Sequence, residues 1–316
     1  MSHYLVTGGA GFIGSHLVEE LTRRGEQVRV LDNLSTGKLR NLAHIPGVEF
    51  QEGDLADPAA CARATEGIDY VLHQGAIPSV PRSVKDPVTS NRANIDGSLN
   101  ILVAARDAGV KRLVYAGSSS AYGDTPTLPK REDMPTKPLS PYALQKLVAE
   151  QYCQMFTRLY GLETVTIRYF NVFGPRQDPG SPYSGVISLF ATAVLEGRQP
   201  TIYGDGGQTR DFTYVANVVD GVLRACHAPN AAGEVINVAT GGRISLNELL
   251  LTMNGLVGTS LTPLYAEGRQ GDVRDSQADI TKARTLLGYT PLVTLEEGLR
   301  HTLAWARSEA AVGAKR

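Results

Sequence analysis

The first fourteen residues constrain this chain more than any other stretch. Met1 to Val6 reads as a short apolar strand, and Thr7-Gly8-Gly9-Ala10-Gly11-Phe12-Ile13-Gly14 leads into a helical pattern that runs from Ile13 to Arg24 and stops at Gly25. Gly8, Gly11 and Gly14 form a G-x-x-G-x-x-G turn. In such a turn backbone amides approach a pyrophosphate while the following helix aims its positive end at it. A second strand, Gln27-Val28-Arg29-Val30-Leu31, ends on Asp32. That acid lies about twenty residues past the glycines, where a carboxylate accepts from adenosine ribose hydroxyls and repels a 2′-phosphate. The pattern predicts a dinucleotide-binding βαβ unit that takes NAD rather than NADP; an ordinary surface aspartate is the plainer reading of Asp32.

Strand patterns near 3–7, 27–32, 47–51, 69–73 and 111–117 alternate with helical ones. Short β-rich apolar runs separated by helices predict an α/β fold, a Rossmann-type doubly wound parallel sheet with ligands at the strand C-terminal ends. After the third strand, Asp54 of Gly53-Asp54-Leu55 is positioned either to receive the adenine amino group or to cap the helix before Pro58. Past Asn171 the texture changes: Gly174 to Pro182 is loop, and the stretches 204–210 and 266–275 are rich in Gly, Asp and Arg. They predict a smaller C-terminal α/β substrate lobe. The expected division is 1–171 plus roughly 212–242 for the NAD-binding domain, 172–211 and 243–308 for the lobe, and 309–316 as a tail.

With 316 residues, 42% of them hydrophobic, the chain can bury a large core. A formal net charge of −1 gives no bulk attraction to nucleic acid or an anionic membrane, so an anionic ligand must be met by local arginines. Cys61, Cys153 and Cys226 are odd in number, widely spaced and without a C-x-x-C pair, which predicts reduced, buried thiols, no metal site and a cytoplasmic setting. No apolar run approaches the roughly 18 residues of a membrane span, and a fold that starts almost at Met1 leaves no room for a signal sequence.

Pro141-Tyr142-Ala143-Leu144-Gln145-Lys146 opens a helix that places Tyr142 and Lys146 on one face. An ammonium beside a phenol favours the phenolate, so the spacing predicts a tyrosine lowered from its usual pKa of about 10 toward a useful base. The fifth strand ends at Ser118-Ser119-Ser120 and presents a hydroxyl at the same sheet edge, although serines after a strand also serve as turn formers. Glycine turn, strand-end serine and Tyr/Lys helix together are far more specific than any one of them.

With these elements in place the chain resembles the extended short-chain dehydrogenase/reductases and, among them, the NAD-dependent UDP-hexose 4-epimerases, with UDP-glucose and UDP-N-acetylglucosamine branches. The resemblance spans nearly the whole chain. It is carried by T-G-G-A-G-F-I-G at 7–14, D-N-L-S-T-G at 32–37, S-S-S-A-Y-G-D at 118–124, S-P-Y-A-L-Q-K at 140–146, R-Y-F-N-V-F-G-P-R-Q at 168–177, T-R-D-F-T-Y-V at 209–215 and G-R-Q-G-D-V-R-D-S at 268–276. S-V-P-R-S at 79–83, T-L-P-K at 127–130 and R-Q-D-P at 176–179 resemble the UDP-N-acetylglucosamine branch.

The resemblance implies roles residue by residue. Tyr142 would be the base, Lys146 its electrostatic partner and ribose ligand, and Ser118 the third catalytic group. NAD would be held by Gly8, Gly11, Phe12, Ile13, Gly14, Asp32, Asn33, Asp54, Leu55 and Asn94, with Asn94 fixing the relay beside the lysine. The UDP-sugar would meet Ser79, Ser119, Ser120, Asn171, Val186, Tyr203, Asp272 and Ser276. Arg210 and Arg269 would neutralise its diphosphate, and Tyr203 with the Val186-Ile187 segment would enclose the uracil. In the implied reaction Tyr142, helped by Ser118, takes the proton of the sugar 4-hydroxyl as hydride leaves C4 for NAD⁺. The 4-keto sugar then turns and receives hydride on its other face.

Ser276, small where relatives restricted to glucose and galactose carry a bulky aromatic, implies room for an N-acetyl group. Ser119 and Ser120 stand where the related dehydratases carry an acidic pair, which argues against elimination. UDP-glucuronate 4-epimerases are the nearest rival, and Asn171, where they usually have threonine, leans away from them. A non-catalytic NAD sensor would commonly have lost the tyrosine or lysine that this chain keeps. A homodimer is implied through Ile95, Leu99, Leu102, Leu144, Leu147 and Val148, with core packing as the competing reading of those residues. No nucleic acid, membrane or metal partner is expected.

Overall fold

The computed structural model describes residues 1–178, 185–268 and 273–313. In chain order the strands are β1 (His3–Thr7), β2 (Gln27–Asp32), β3 (Glu49–Glu52), β4 (Tyr70–His73), β5 (Arg112–Ser118), β6 (Glu163–Tyr169), β7 (Asn171–Phe173), β8 (Thr201–Tyr203), β9 (Thr209–Arg210), β10 (Phe212–Tyr214), β11 (Val235–Val238), β12 (Ile244–Ser245) and β13 (Leu264–Ala266). The α-helices are α1 (Phe12–Arg23), α2 (Pro58–Thr65), α3 (Val80–Lys85), α4 (Pro87–Asn91), α5 (Gly97–Asp107), α6 (Pro141–Tyr160), α7 (Val186–Leu195), α8 (Val215–His227), α9 (Leu246–Val257), α10 (Thr281–Leu287) and α11 (Leu295–Gly313).

Seven strands form one parallel sheet in the order β11-β6-β5-β4-β1-β2-β3. The central strands are near-continuous apolar runs because helices cover both faces, leaving no solvent side to ask for alternation. The order reverses between β1 and β4, so the crevice of a doubly wound sheet opens at their C-terminal ends. Thr7 is aligned with Leu31 of β2 and with His73 of β4, which sets Gly8 at the head of that crevice. The third strand starts at Glu49 rather than 47 because Gly47, with φ 73°, is still in the turn before it.

Local signals account for the helix that matters most. Ser140 caps α6 by accepting from the Ala143 amide at 3.2 Å, Pro141 occupies its first turn, and Gly161 ends it at φ 73°. At α2 the structure corrects the alternative given to Asp54: Asp57 is the cap, accepting from the Ala59 amide at 3.0 Å, one position before Pro58. Asp54 instead accepts from the Ala56 amide and from Asn33 Nδ2.

Three apolar clusters hold the molecule. One lies under α1, α8 and α10 (Leu17, Val218, Ala283), a second under α2, α5 and α6 (Cys61, Leu102, Phe156), and a third joins α7, α9 and α11 (Phe190, Leu249, Leu299) away from the sheet. Helix α10, inside the span expected for the lobe, thus contributes to the sheet core. All three cysteines are buried and free. Leu102 and Leu147 are buried too, so packing within the chain accounts for both, while Leu144 is exposed and Ile95, Leu99 and Val148 are half-buried. No described helix is long and apolar enough to cross a membrane, and no described group of three or more His, Cys, Asp or Glu side chains could hold a metal.

Candidate active site

The glycine turn is held by backbone contacts that a side chain would break. Gly8, at φ 66°, donates to the Leu31 carbonyl at 2.8 Å, and a Cβ on Gly14 would fall 2.2 Å from the Gly8 oxygen. Helix α1 therefore starts directly against the turn. It has no side-chain cap and no acid in its first turn, so the amides around Phe12 and Ile13 stand at an electropositive end. Asp32 is buried, not an ordinary surface acid: Oδ2 accepts from the Ala10 amide at 3.0 Å and Oδ1 from the Leu34 amide at 2.8 Å. Burial pushes its carboxyl pKa up while these two bonds pull it down. Asn33 Nδ2 donates to Asp54 Oδ2 at 3.2 Å, and the Leu55 side chain abuts Gly75 and Gly97. Glycine cradle, uncapped helix start and carboxylate at the end of β2 fit a dinucleotide.

At the end of β5, Ser118 Oγ accepts from the Ser120 amide at 3.2 Å and lies 2.7 Å from Ser120 Oγ. Tyr142 on α6 is fixed through its amide, which donates to Ser83 Oγ at 3.0 Å. The structure corrects the expected electrostatics here. Desolvation raises the Tyr142 pKa, and the group that draws it back down is the Ser118 hydroxyl rather than the lysine. Lys146 is buried, donates through Nζ to the Ala116 carbonyl at 2.8 Å and lies 4.9 Å from the centre of the Tyr115 ring. Its own pKa is pushed down to about 8 by desolvation.

Asn94 sits in a π-type turn at Arg92–Asp96. It accepts from the Ile77 amide at 2.7 Å and donates to Gln145 Oε1 at 2.9 Å, so it grips the neighbour of the lysine. Behind it runs a buried chain that the sequence reading missed. Ser98 donates to the Asn94 carbonyl at 2.6 Å, so its oxygen is left to accept from His73 Nε2 at 3.0 Å. His73 Nδ1 must then accept from Thr7 Oγ1 at 2.7 Å, which assigns the neutral Nε2–H tautomer. Burial first and Lys146 second lower the His73 pKa to about 3. A histidine closing a central strand was the available signal.

One cavity of about 240 Å³ gathers Ser118, Ser119, Ser120, Asn171, Arg210 and Ser276. Asn171 begins β7 and Ser276 hydrogen-bonds by its amide to the Thr209 carbonyl at 3.1 Å. Arg210 Nη1 donates to the Arg274 carbonyl at 2.6 Å. Asp211 beside it, also missed, is fully buried and accepts from Thr240, Gly241 and Ala278 amides, tying these loops together. Ser79 caps α3 by accepting from the Arg82 amide, and its neighbour Val80 lines the cavity. Val186 at the start of α7 and Tyr203 at the end of β8 do not line it. Lys130 does, although the sequence reading gave it no role in the site. Arg269 and Asp272 lie outside the described residues.

The NAD dependent epimerase/dehydratase family matches residues 4–239. The chain is 41% identical over 310 residues to a UDP-glucose 4-epimerase of Mycolicibacterium smegmatis, covering 96% of this chain and 98% of that one. A solved UDP-N-acetylglucosamine 4-epimerase from Methanobrevibacter ruminantium, in complex with UDP-N-acetylmuramic acid, aligns at a TM-score of 0.93 and 39% identity over 98% of this chain and 99% of that chain. The UDP-glucose 4-epimerase of Thermus thermophilus, in complex with NAD, aligns at 0.88 and 39% identity, covering 96% and 99%.

Proposed function

The chain belongs to the NAD dependent epimerase/dehydratase family and, within it, to the UDP-sugar 4-epimerases; we propose that it interconverts UDP-N-acetylglucosamine with UDP-N-acetylgalactosamine, and UDP-glucose with UDP-galactose, through a transient 4-keto sugar. One observation carries the reading: Ser118, Asn171, Arg210 and Ser276 line a single cavity at the sheet end where Ser118 also stands beside Tyr142.

NAD at the glycine turn supplies a hydride acceptor and donor for the sugar carbon. Tyr142 takes the proton of the 4-hydroxyl and, once the keto sugar has turned, returns it to the 4-oxygen. Since desolvation alone favours the neutral phenol, the Ser118 hydroxyl bond is what favours its anionic form. Ser119 and Ser120 supply hydroxyls at the sugar end. Arg210 offers a guanidinium to the diphosphate, a geometry that pairs with two phosphate oxygens at once. The short Ser276 side chain leaves the volume an N-acetyl group needs. The reading includes a homodimer through α5 and α6, supported by exposed Leu144 and half-buried Ile95, Leu99 and Val148.

The test is turnover of UDP-N-acetylglucosamine, UDP-glucose and UDP-glucuronate by purified protein without added NAD, followed by NMR at C4. Interconversion of either of the first two supports the reading. Conversion of the glucuronate alone, or no turnover despite bound NAD, would replace it.

A further inference from the structure

Four cationic side chains are buried among the described residues: Arg112, Lys130, Lys146 and Arg168. Two of them have carboxylate partners, Arg112 with Glu163 at 2.6 Å and Arg168 with Glu150 at 2.6 Å. That is the usual state of a buried charge, because an unpaired one is costly to take from water. The other two have none among the described residues. Lys146 is one turn along α6 from the proposed catalytic tyrosine, and Lys130 lines the cavity with Ser118, Ser120 and Ser276.

Lys130 is 2% exposed. Its backbone is anchored on both sides, the amide donating to the Gln277 carbonyl at 2.7 Å and the carbonyl accepting from the Asp279 amide at 2.9 Å. Among the described residues its ammonium is held by Thr125, through the carbonyl and through Oγ1 at 2.5 Å. An ammonium has three donors, so one is left beyond the two bonds to Thr125, in a residue that lines the cavity. Asp124, the one carboxylate whose field it feels, is exposed and accepts from the Arg274 amide at 3.1 Å. Desolvation lowers the lysine pKa, and the field of Asp124 opposes that shift.

We propose that Lys130 is the cation of the sugar end of this cavity and binds a carboxylate carried by the hexose, so that the site takes acidic as well as neutral nucleotide hexoses. The proposal rests on the UDP-hexose reading above for the rest of the ligand. It does not rest on the residue at position 171. Arg210 is left to the diphosphate, and the hydroxyls of Ser118, Ser119 and Ser120 can share the carboxylate oxygens with the ammonium.

Calorimetric titration of the NAD-saturated protein with two matched pairs tests it: UDP-glucuronate against UDP-glucose, and UDP-N-acetylmuramate against UDP-N-acetylglucosamine. In Lys130→Met the acidic-to-neutral affinity ratio should fall at least about tenfold for one pair, while Lys130→Arg keeps it within about threefold. The responding pair tells whether the carboxylate sits at C6 or on the ether arm at C3. A ratio shift below about threefold for both pairs in Lys130→Met overturns the proposal. Should that variant not fold, the wild type decides: each acidic ligand binding more than about tenfold weaker than its neutral partner also overturns it. A ratio shift without epimerisation of any neutral hexose would sink the reading above and leave the Lys130 site standing; epimerisation without the shift would do the reverse.

Discussion

Asn171 and Ser276 meet on one wall of the cavity, with Asn171 Nδ2 donating to Ser276 Oγ at 3.2 Å across 105 positions of sequence. The contact joins the first residue of β7 to a segment whose backbone is itself bonded to Thr209, so the small side chain at 276 is held against the wall rather than left to swing.

Ser276→Tyr should therefore cut kcat/KM for UDP-N-acetylglucosamine by about tenfold or more relative to UDP-glucose, because a phenol fills the space the N-acetyl group requires. Steady-state kinetics on both substrates check it. Equal loss on the two would mean that residue 276 does not set the breadth of the site.

Tyr142→Phe removes the proton carrier and leaves the ring, so kcat should drop by about a thousandfold. The amide bond to Ser83 does not involve the hydroxyl and should persist. The expected signature is lost turnover with NAD still co-purifying; retained turnover would pass the base role to another group.

Gly14→Ala puts a methyl group 2.2 Å from the Gly8 carbonyl oxygen, and the turn must open to admit it. Co-purified NAD, read from the absorbance of the denatured protein, should fall to a small fraction of the wild-type content. Unchanged content would remove the turn from the cofactor site.

Glu150→Gln leaves Arg168, buried over the Tyr122 ring at 4.5 Å, without its carboxylate. The expected loss is about 3–5 kcal/mol in denaturant unfolding. Replacing both partners, Glu150→Leu with Arg168→Met, should cost less than the single change. A single variant as stable as the wild type would show that the pair is not desolvated as its burial implies.

His73 is neutral in the fold with a pKa of about 3, below its unfolded value of 6.5. Between those values the unfolded chain binds the extra proton, so stability is complete above pH 6.5 and is lost as pH falls. From pH 6.5 to 5 the loss is about 2 kcal/mol for one such histidine. His16, lowered to about 4 by burial, adds to the same trend. Thermal unfolding across pH 5–7 should show a shallower slope in His73→Gln than in the wild type; parallel slopes would contradict the neutral assignment.

Signals carried by neighbours in sequence were legible before any coordinates. The glycine turn, Asp32 at the end of β2, the capped α6 with Tyr142 and Lys146 one turn apart, and the serines after β5 all follow from spacing and local sterics, which a linear string records. The central strands were equally plain because a doubly covered sheet writes itself as apolar runs. What the string does not record is who meets whom across a hundred residues. Asp57, not Asp54, caps α2, a choice between two equivalent-looking acids made by where the chain turns. The Tyr142 pKa depends on desolvation and the Ser118 hydroxyl, so the spacing of Tyr and Lys alone misjudged its direction. The Asn171–Ser276 contact, the neutral His73 chain and the burial of Lys130 without a carboxylate partner among the described residues exist only once the sheet, its helices and the loops are packed. Desolvation is a property of everything around a group, and that surrounding is assembled by tertiary structure.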